Sequence, residues 1–413
     1  MFYTAISGLN AFRSQLSVIS DNIANSQTAS YKAGDVSFAE VIASSSSNST
    51  GNVGSGVNIQ NIALGWTQGA ISNTGNVNDF AVTGAGFFIV QDTAGTGYTR
   101  DGKFSFNADS ELVNADGMNV QGYAINPTTG VVATEYSPIV ISTAQSPASA
   151  TTSMTTTVNL DASALIGGTS AFSTTTNVYD SLGNAIPLTI KFQKAVANQW
   201  TWDASIPVTI PPTGTAAGSG TLNFTAAGQL DSGAGGAVWT DPSIVLTLAN
   251  GAASTQTVTW DLYNDTPAPG VTNGTLTQFA GTSTIYSMSQ DGRTSGLLTG
   301  ISSNNNGIIT ASYSNGQTNS LYQIALADCQ NYDGLSKIGN NLYRDTPTIT
   351  GGMIAGSPGS GKFGTVASGS LEASNVDMAK EMANMILAQR AYESCARVFT
   401  IESEMLKTVV NMS

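Results

Sequence analysis

The stretch Met378-Ala-Lys-Glu-Met-Ala-Asn-Met-Ile-Leu-Ala-Gln-Arg-Ala-Tyr392-Glu-Ser-Cys-Ala-Arg-Val-Phe399-Thr-Ile-Glu-Ser-Glu-Met-Leu406-Lys-Thr-Val-Val410 decides how the rest of the chain is read. Its apolar residues return at steps of four and three: Met378, Met382, Met385, Tyr392, Ala396, Phe399, Leu406 and Val410, with Gln389 and Ser403 as polar members of the same frame. That spacing is the stripe of a long amphipathic helix that packs against other helices. The segment is also free of helix breakers. No Gly follows Gly369 and no Pro follows Pro358, in a chain that holds 44 Gly and 12 Pro. Ser374-Asn-Val-Asp377 supplies an N-capping side chain, with an acid where the helix dipole favours one. From Asn375 to Asn411 such a helix spans roughly 55 Å. It is too long to fold back into a small core, so its stripe needs a partner.

The opposite end of the chain carries a matching pattern. Ala5, Leu9, Phe12, Leu16, Ile19 and Ile23 keep the same alternation, and Phe2 and Ile6 widen the stripe. Asn22-Ile-Ala-Asn-Ser26 then closes it with residues suited to a helix end and turn. Two readings stand at this point. The helices pack on a globular domain, or they form a coiled-coil-like layer shared between subunits. In the second case Leu9, Phe12, Leu16, Ile19 and Ile23, with Met378, Met382, Met385, Tyr392, Phe399, Leu406 and Val410, are the assembly residues.

Between the helices the pattern turns to short β runs. Thr28–Phe38 reads as an extended connector and Ser44–Thr50 as a low-complexity loop. Phe80–Val82 and Phe87–Val90 read as strand, turn and strand. Tyr98–Phe106 reads as a hairpin turning at Asp101-Gly102, and Leu112–Val113 with Val120–Ile125 repeats that logic. A boundary falls near Pro138–Pro147. Beyond it, runs at Thr174–Asp180, Ile186–Gln193, Trp200–Ala204, Ile244–Leu248 and Thr257–Tyr263, punctuated by Pro211-Pro212 and the Gly-rich run 228–236, suggest a β-sandwich or barrel. The earlier style resumes after it. The expected fold is therefore mainly β with terminal helices and nested β domains. Residues 1–70 pair with 365–413, 71–145 with 284–364 form a discontinuous middle β domain, and 146–283 form an inserted outer one.

Composition narrows the chemistry. The chain has 413 residues, enough for two or three domains, and only 10% are charged, against about 25% in an average soluble protein. The net charge of −13 and the lack of a basic patch argue against nucleic acid. Histidine is absent, which removes the commonest general base. Cys329 and Cys395 have no metal-type spacing, and a bond between them is not expected. No signal peptide or membrane span is visible. Gly356-Ser-Pro-Gly-Ser-Gly-Lys362 fits the first seven positions of a phosphate-binding loop but continues with Phe363, contains Pro358 and leads into no long helix. Gly84-Ala-Gly86 lacks the third glycine of a dinucleotide site. These residues point to no enzyme, no cofactor, no metal and no small-molecule substrate.

The two ends also resemble a known family. Ile6-Ser7-Gly8-Leu9-Asn10, Asp21-Asn22-Ile23-Ala24-Asn25 and Tyr31-Lys32 are similar to the N-terminal signature of bacterial flagellar rod and hook proteins. Leu371-Glu-Ala-Ser374-Asn375-Val376-Asp377, Glu381–Ile386 and Gln389-Arg390-Ala-Tyr392 are similar to the C-terminal one. In the middle, Gly86–Phe88, Tyr98–Arg100 and Gly117–Gly122 resemble the first β domain shared by hook and distal rod proteins. Val178-Tyr-Asp-Ser-Leu-Gly-Asn184 resembles the inserted outer domain of the hook protein, which the shorter distal rod protein lacks. The resemblance weakens from Ile206 to Gly281. It implies a helical homopolymer with an inner tube of paired terminal helices and outer β layers, serving as a flexible, torque-transmitting joint. It also implies neighbours: the distal rod protein at the base, the hook–filament junction protein at the tip, a hook cap during assembly, and the flagellar type III export apparatus. The place implied is the extracellular hook, reached without a cleaved signal. The terminal segments are expected to be disordered before assembly, because long isolated helices are marginal in water. A secreted β-rich adhesive or binding protein, oligomerised through its helices, is the rival reading; a carbohydrate hydrolase is a more distant one.

Overall fold

Both terminal helices form where the periodicity expects them, α1 over Phe2–Ala24 and α2 over Met378–Asn411. This computed structural model describes residues 2–42, 54–127, 129–141, 145–167, 171–207, 214–231, 240–264, 271–272, 275–347 and 351–411. The loop read at Ser44–Thr50, Pro211-Pro212, most of the Gly-rich run 228–236 and the side chain of Phe2 lie outside the described residues. Among the described residues between the helices, regular structure is β apart from one turn of 3₁₀ helix at Tyr332–Gly334. It divides into two units: Met1–Ser142 with Gly300–Ala311 and Thr318–Ser413, and Thr143–Thr299 with Ser312–Gln317.

In the first unit, the expected connector after α1 is a strand. β1 (Gly34–Ile42) pairs antiparallel with β2 (Gly54–Leu64), with bulges after Ser37 and Val41. The hairpin lies along α1. Phe12 packs edge-on against Phe38 at 6.0 Å, and Val57 N–H donates to Ser7 Oγ. Gly56 is needed there. It has φ +115°, and a Cβ would lie 2.2 Å from Ser7 Oγ.

The main sheet of this unit centres on Phe87–Asp92, which pairs with Gly95–Thr99, Asn119–Ile125 and Leu326–Asp328. Near-continuous burial of Phe87, Phe88, Ile89 and Val90 marks it as the central strand. Trp66, Phe87, Tyr332 and Tyr343 pack edge-on or tilted on one face, with ring centroids 5.2–5.9 Å apart. The expected Tyr98–Phe106 hairpin does not form. Thr99 pairs with Phe88 instead, and Ser105–Phe106 pairs with Leu112–Val113. Asp101-Gly102 steers the chain past Phe80, whose N–H donates to the Gly102 carbonyl at 3.0 Å. A Cβ on Gly102 would lie 1.7 Å from the Phe80 carbonyl oxygen, so the glycine serves a close crossing rather than a reversal. Likewise Phe80–Thr83 pairs not with the neighbouring strand but with Thr365–Ser368, near the far end of the chain.

The second unit is a β-sandwich. One sheet orders Gly214–Ala217, Ser243–Leu248, Thr255–Asp261, Ser153–Asn159 and Leu276–Thr277; the other orders Phe172–Tyr179, Ala185–Val196, Gln199–Ser205 and Ser219–Asn223. Alternate residues of both sheets point into one core that includes Phe192, Trp200, Trp202 and Trp260. The indole N–H groups of the fully buried Trp200 and Trp260 both have partners: Trp200 donates to Gln278 Oε1 and Trp260 to Thr156 Oγ1. Thr284–Gln290, expected with the middle domain, pairs antiparallel with Ser153–Asn159 and belongs to this unit. Its exposed alternation hid that allegiance.

Candidate assembly interface and its polar root

α1 and α2 run antiparallel. Asn22 Nδ2 donates to Glu381 Oε2 at 3.3 Å at one end of the pair. Fourteen residues away on each helix, a Cβ on Gly8 would meet Cys395 Sγ at 3.1 Å. Small residues allow the close approach, with Ala5, Gly8, Ala11 and Ala388 all buried. On this register α1 ends opposite Ile401, and the α2 segment Glu402–Asn411 runs on for roughly 15 Å.

The face α2 turns to α1 differs from the expected stripe. It carries Glu381, Ala388 and Cys395, with half-buried Met385 and Phe399 beside them. Met385 and Phe399 thus border this face, while most of the remaining stripe is exposed. Met378, Met382, Tyr392, Leu406 and Val410 are exposed, Val410 by 70%. The apolar surface is also broader than one stripe, since Ile386, Leu387, Val398, Ile401 and Met405 are exposed too. On α1, Ile19 is buried and Leu9, Phe12, Leu16 and Ile23 are half-buried. Part of that stripe serves the β1–β2 hairpin, which the helical periodicity alone does not reveal.

Some of the motif residues from both ends, Asn22, Asn25 and Ser374–Asp377, come together at one end of the helix pair. Asp377 caps α2 by accepting from the N–H groups of Ala379 and Lys380. Asn25 Nδ2 donates to the Asp21 carbonyl at the end of α1. Asn22 brackets Gly34, accepting from its N–H and donating to its carbonyl, both at 2.9 Å. Asn375 reaches across the chain: Oδ1 accepts from Ala33 N–H, and Nδ2 donates to the carbonyls of Gly65 and Thr67. Ser374 accepts from Val376 N–H. Ser7 turns back to the Thr4 carbonyl, and Arg390 lies with Glu393 on the exposed side of α2. Gln389, Asn10 and Ala24 are exposed.

At the centre of this root sits a buried ionic cluster that the sequence reading missed. Glu372, fully buried, accepts from Lys32 Nζ at 2.7 Å and Gly69 N–H at 2.8 Å. Arg100 Nη1 stands 3.5 Å from its second oxygen. Lys32 also donates to the Thr67 carbonyl, and Arg100 donates to the Gly84 carbonyl while lying over the Phe87 ring. Burial pushes the Lys32 ammonium below its usual range, against the pull of Glu372 in the other direction. Burial, with Asp21 hydrogen-bonded to it, pushes the Tyr31 phenol up. The one signal available in sequence was that Lys32 and Glu372 both lie inside the end motifs.

Two tempting motifs resolve structurally. Ile354–Gly356 pairs antiparallel with Leu326–Asp328, and Lys362 of the phosphate-loop-like run is bound to Asp328 at 2.9 Å. Cys329 and Cys395 are both free thiols. Among the described residues no cluster of three metal-ligating side chains occurs, and no helix is long and apolar enough to cross a membrane.

Comparison with known proteins agrees along the whole chain. Residues 2–32 match the flagella basal body rod protein family, and 81–159 match the flagellar hook protein FlgE/F/G D1 domain. Residues 149–293 match the flagellar basal body protein FlaE D2 domain, and 367–412 match the flagellar basal body rod FlgEFG protein C-terminal family. The flagellar hook protein FlgE of Salmonella typhimurium is 36% identical over 100% of this chain and 99% of its own length. That of Escherichia coli is 34% identical with the same coverage. The crystal structure of Helicobacter pylori flagellar hook protein FlgE2, 15% identical, shares the fold with a TM-score of 0.53 over 73% of this chain and 100% of that one. With identity of this degree from end to end, the chain belongs to the flagellar hook protein FlgE family, whose members are structural proteins rather than enzymes.

Proposed function

We propose that this chain is the structural subunit of a bacterial flagellar hook and polymerises through its terminal helices. The observation that carries the reading is the exposed apolar surface of α2 among the described residues. Leu406 and Val410 extend past the end of α1 and stay exposed in the single chain. Burying them on neighbouring copies offsets a hydrophobic cost of about 1.5–3 kcal/mol per large side chain. Head-to-tail contacts that do not close generate a helical filament. In that reading, Leu9, Phe12, Leu16, Ile19 and Ile23 brace α1. Met378, Met382, Met385, Tyr392, Phe399, Leu406 and Val410 face neighbouring copies in an inner tube, while the middle and inserted β domains form the outer layers. A surface rich in Ser, Thr, Asn and Gly makes many weak contacts that exchange as the polymer bends, which suits a joint that transmits torque. The distal rod protein, the hook–filament junction protein, the hook cap and the flagellar type III export apparatus are the partners of this role, and the extracellular hook is its place. Negative-stain microscopy of the purified protein under polymerising conditions tests it. Short curved tubes are expected, and a protein that remains monomeric or forms closed rings would rule the reading out.

A further inference from the structure

We propose that Glu372 is the positioning residue that makes docking of the N-terminal and C-terminal segments mutually dependent. Its carboxylate is fully buried between two cations that arrive from distant parts of the chain, Lys32 at 2.7 Å and Arg100 at 3.5 Å. Lys32 belongs to the N-terminal segment and Arg100 follows the central hairpin of the β unit. Glu372 itself leads into α2. Around the charges the same segments are laced by backbone bonds: Ser30 N–H to the Glu372 carbonyl, Ala373 N–H to the Ala70 carbonyl, and Asn375 N–H to the Tyr31 carbonyl. If the C-terminal segment leaves, Lys32 and Arg100 lose the anion that stands between them. If the N-terminal segment leaves, Glu372 loses its closest cation and keeps the Gly69 N–H and Arg100, the latter reaching it without a hydrogen bond. Neither segment is stable there alone, because a buried charge deprived of its partner costs far more than the pair contributes. The two helices are therefore held at their root together or not at all. The bearing of this on assembly rests on the function proposed above; the coupling itself does not.

Amide hydrogen exchange on the full-length monomer tests it, with Glu372→Gln, Lys32→Met and the double variant Lys32→Met/Glu372→Gln beside the natural chain. Strand Phe87–Asp92 serves as the internal reference. Glu372→Gln should speed exchange about tenfold or more in α1 and at Ala373 and Asn375 together, with the reference strand little changed. The double variant removes one of the two unbalanced cations and should recover most of that loss, a non-additivity that simple loss of packing does not produce. Acceleration in only one segment, no acceleration, or strictly additive effects would overturn the proposal. So would collapse of the reference strand in both variants, which would make the cluster a support of the whole fold. A natural chain that forms no tubes refutes the assembly reading while the exchange data still judge the coupling.

Discussion

Ile19 on α1 is 4% exposed and Val410 on α2 is 70% exposed, although each sits in the apolar frame of its helix. The difference lies in what surrounds them. α1 has the β1–β2 hairpin on one side and α2 on another. Among the described residues α2 packs chiefly on α1, whose N-terminal end stands opposite Ile401. The same periodic signal therefore yields an internal support in one helix and an unfilled surface in the other. Burial inside one chain stabilises the monomer, whereas burial between chains becomes visible only at assembly. Substitutions in the two helices should separate on that line.

The largest effect is expected at the open end. Leu406→Asp puts a charge where the proposed assembly packs a neighbour, costing on the order of several kcal/mol per subunit contact. Polymer should disappear from sedimentation assays while the monomer's melting temperature stays the same. A lower melting temperature would mean that this part of α2 is already covered in the single chain.

Ile19→Ala should behave in the opposite way. It removes buried side-chain volume next to α2 and is expected to cost about 2–4 kcal/mol, read as earlier loss of helical signal in the monomer. An unchanged monomer would erase the distinction between the helices.

Gly8→Val probes the line where they meet. The new side chain must push Cys395 Sγ aside, at a cost of about 1–3 kcal/mol. Cys395 should then react faster with a thiol reagent, with Cys329, buried in the β unit, as the slow control.

The smallest effect concerns pH. The Tyr31 phenol is held above its ordinary value, so its contribution is full below about pH 10 and is lost as pH rises through the folded value. Lys32, held below its ordinary value, acts in the opposite sense, its docking strengthening as pH rises towards 10.5. Tyr31→Phe isolates the first of these. Relative to the natural chain it should gain stability above pH 10, and parallel curves in alkaline denaturation would show that Tyr31 does not titrate between the two states.

The sequence makes the helices legible because periodicity is local: Leu9 to Ile23 and Met378 to Val410 each declare a stripe without help from the rest of the chain. The same residues do not say which flank of the stripe finds a partner at home. Glu381, Ala388 and Cys395 are a polar residue, a small one and a thiol, so they carry little weight in an apolar frame, yet they form the face toward α1. The ionic root was illegible for a different reason. Lys32 and Glu372 are 340 residues apart, and nothing local to either shows that a charged side chain will be fully buried. Asp101-Gly102 misled in a third way: a dipeptide that favours reversal is equally suited to a close crossing, and Phe80, not its neighbours, decides the outcome.

The unequal lengths of the helices have one more consequence. Their shared axis ends at one side in a closed, hydrogen-bonded junction of Asn22 with Glu381, and at the other in the α2 end that carries the exposed Met405, Leu406 and Val410. Such a body has a direction, as an arrow does. A stack of arrows inherits it, so the two ends of the stack offer an arriving molecule different chemistry, and growth from marked seeds should proceed at two different speeds.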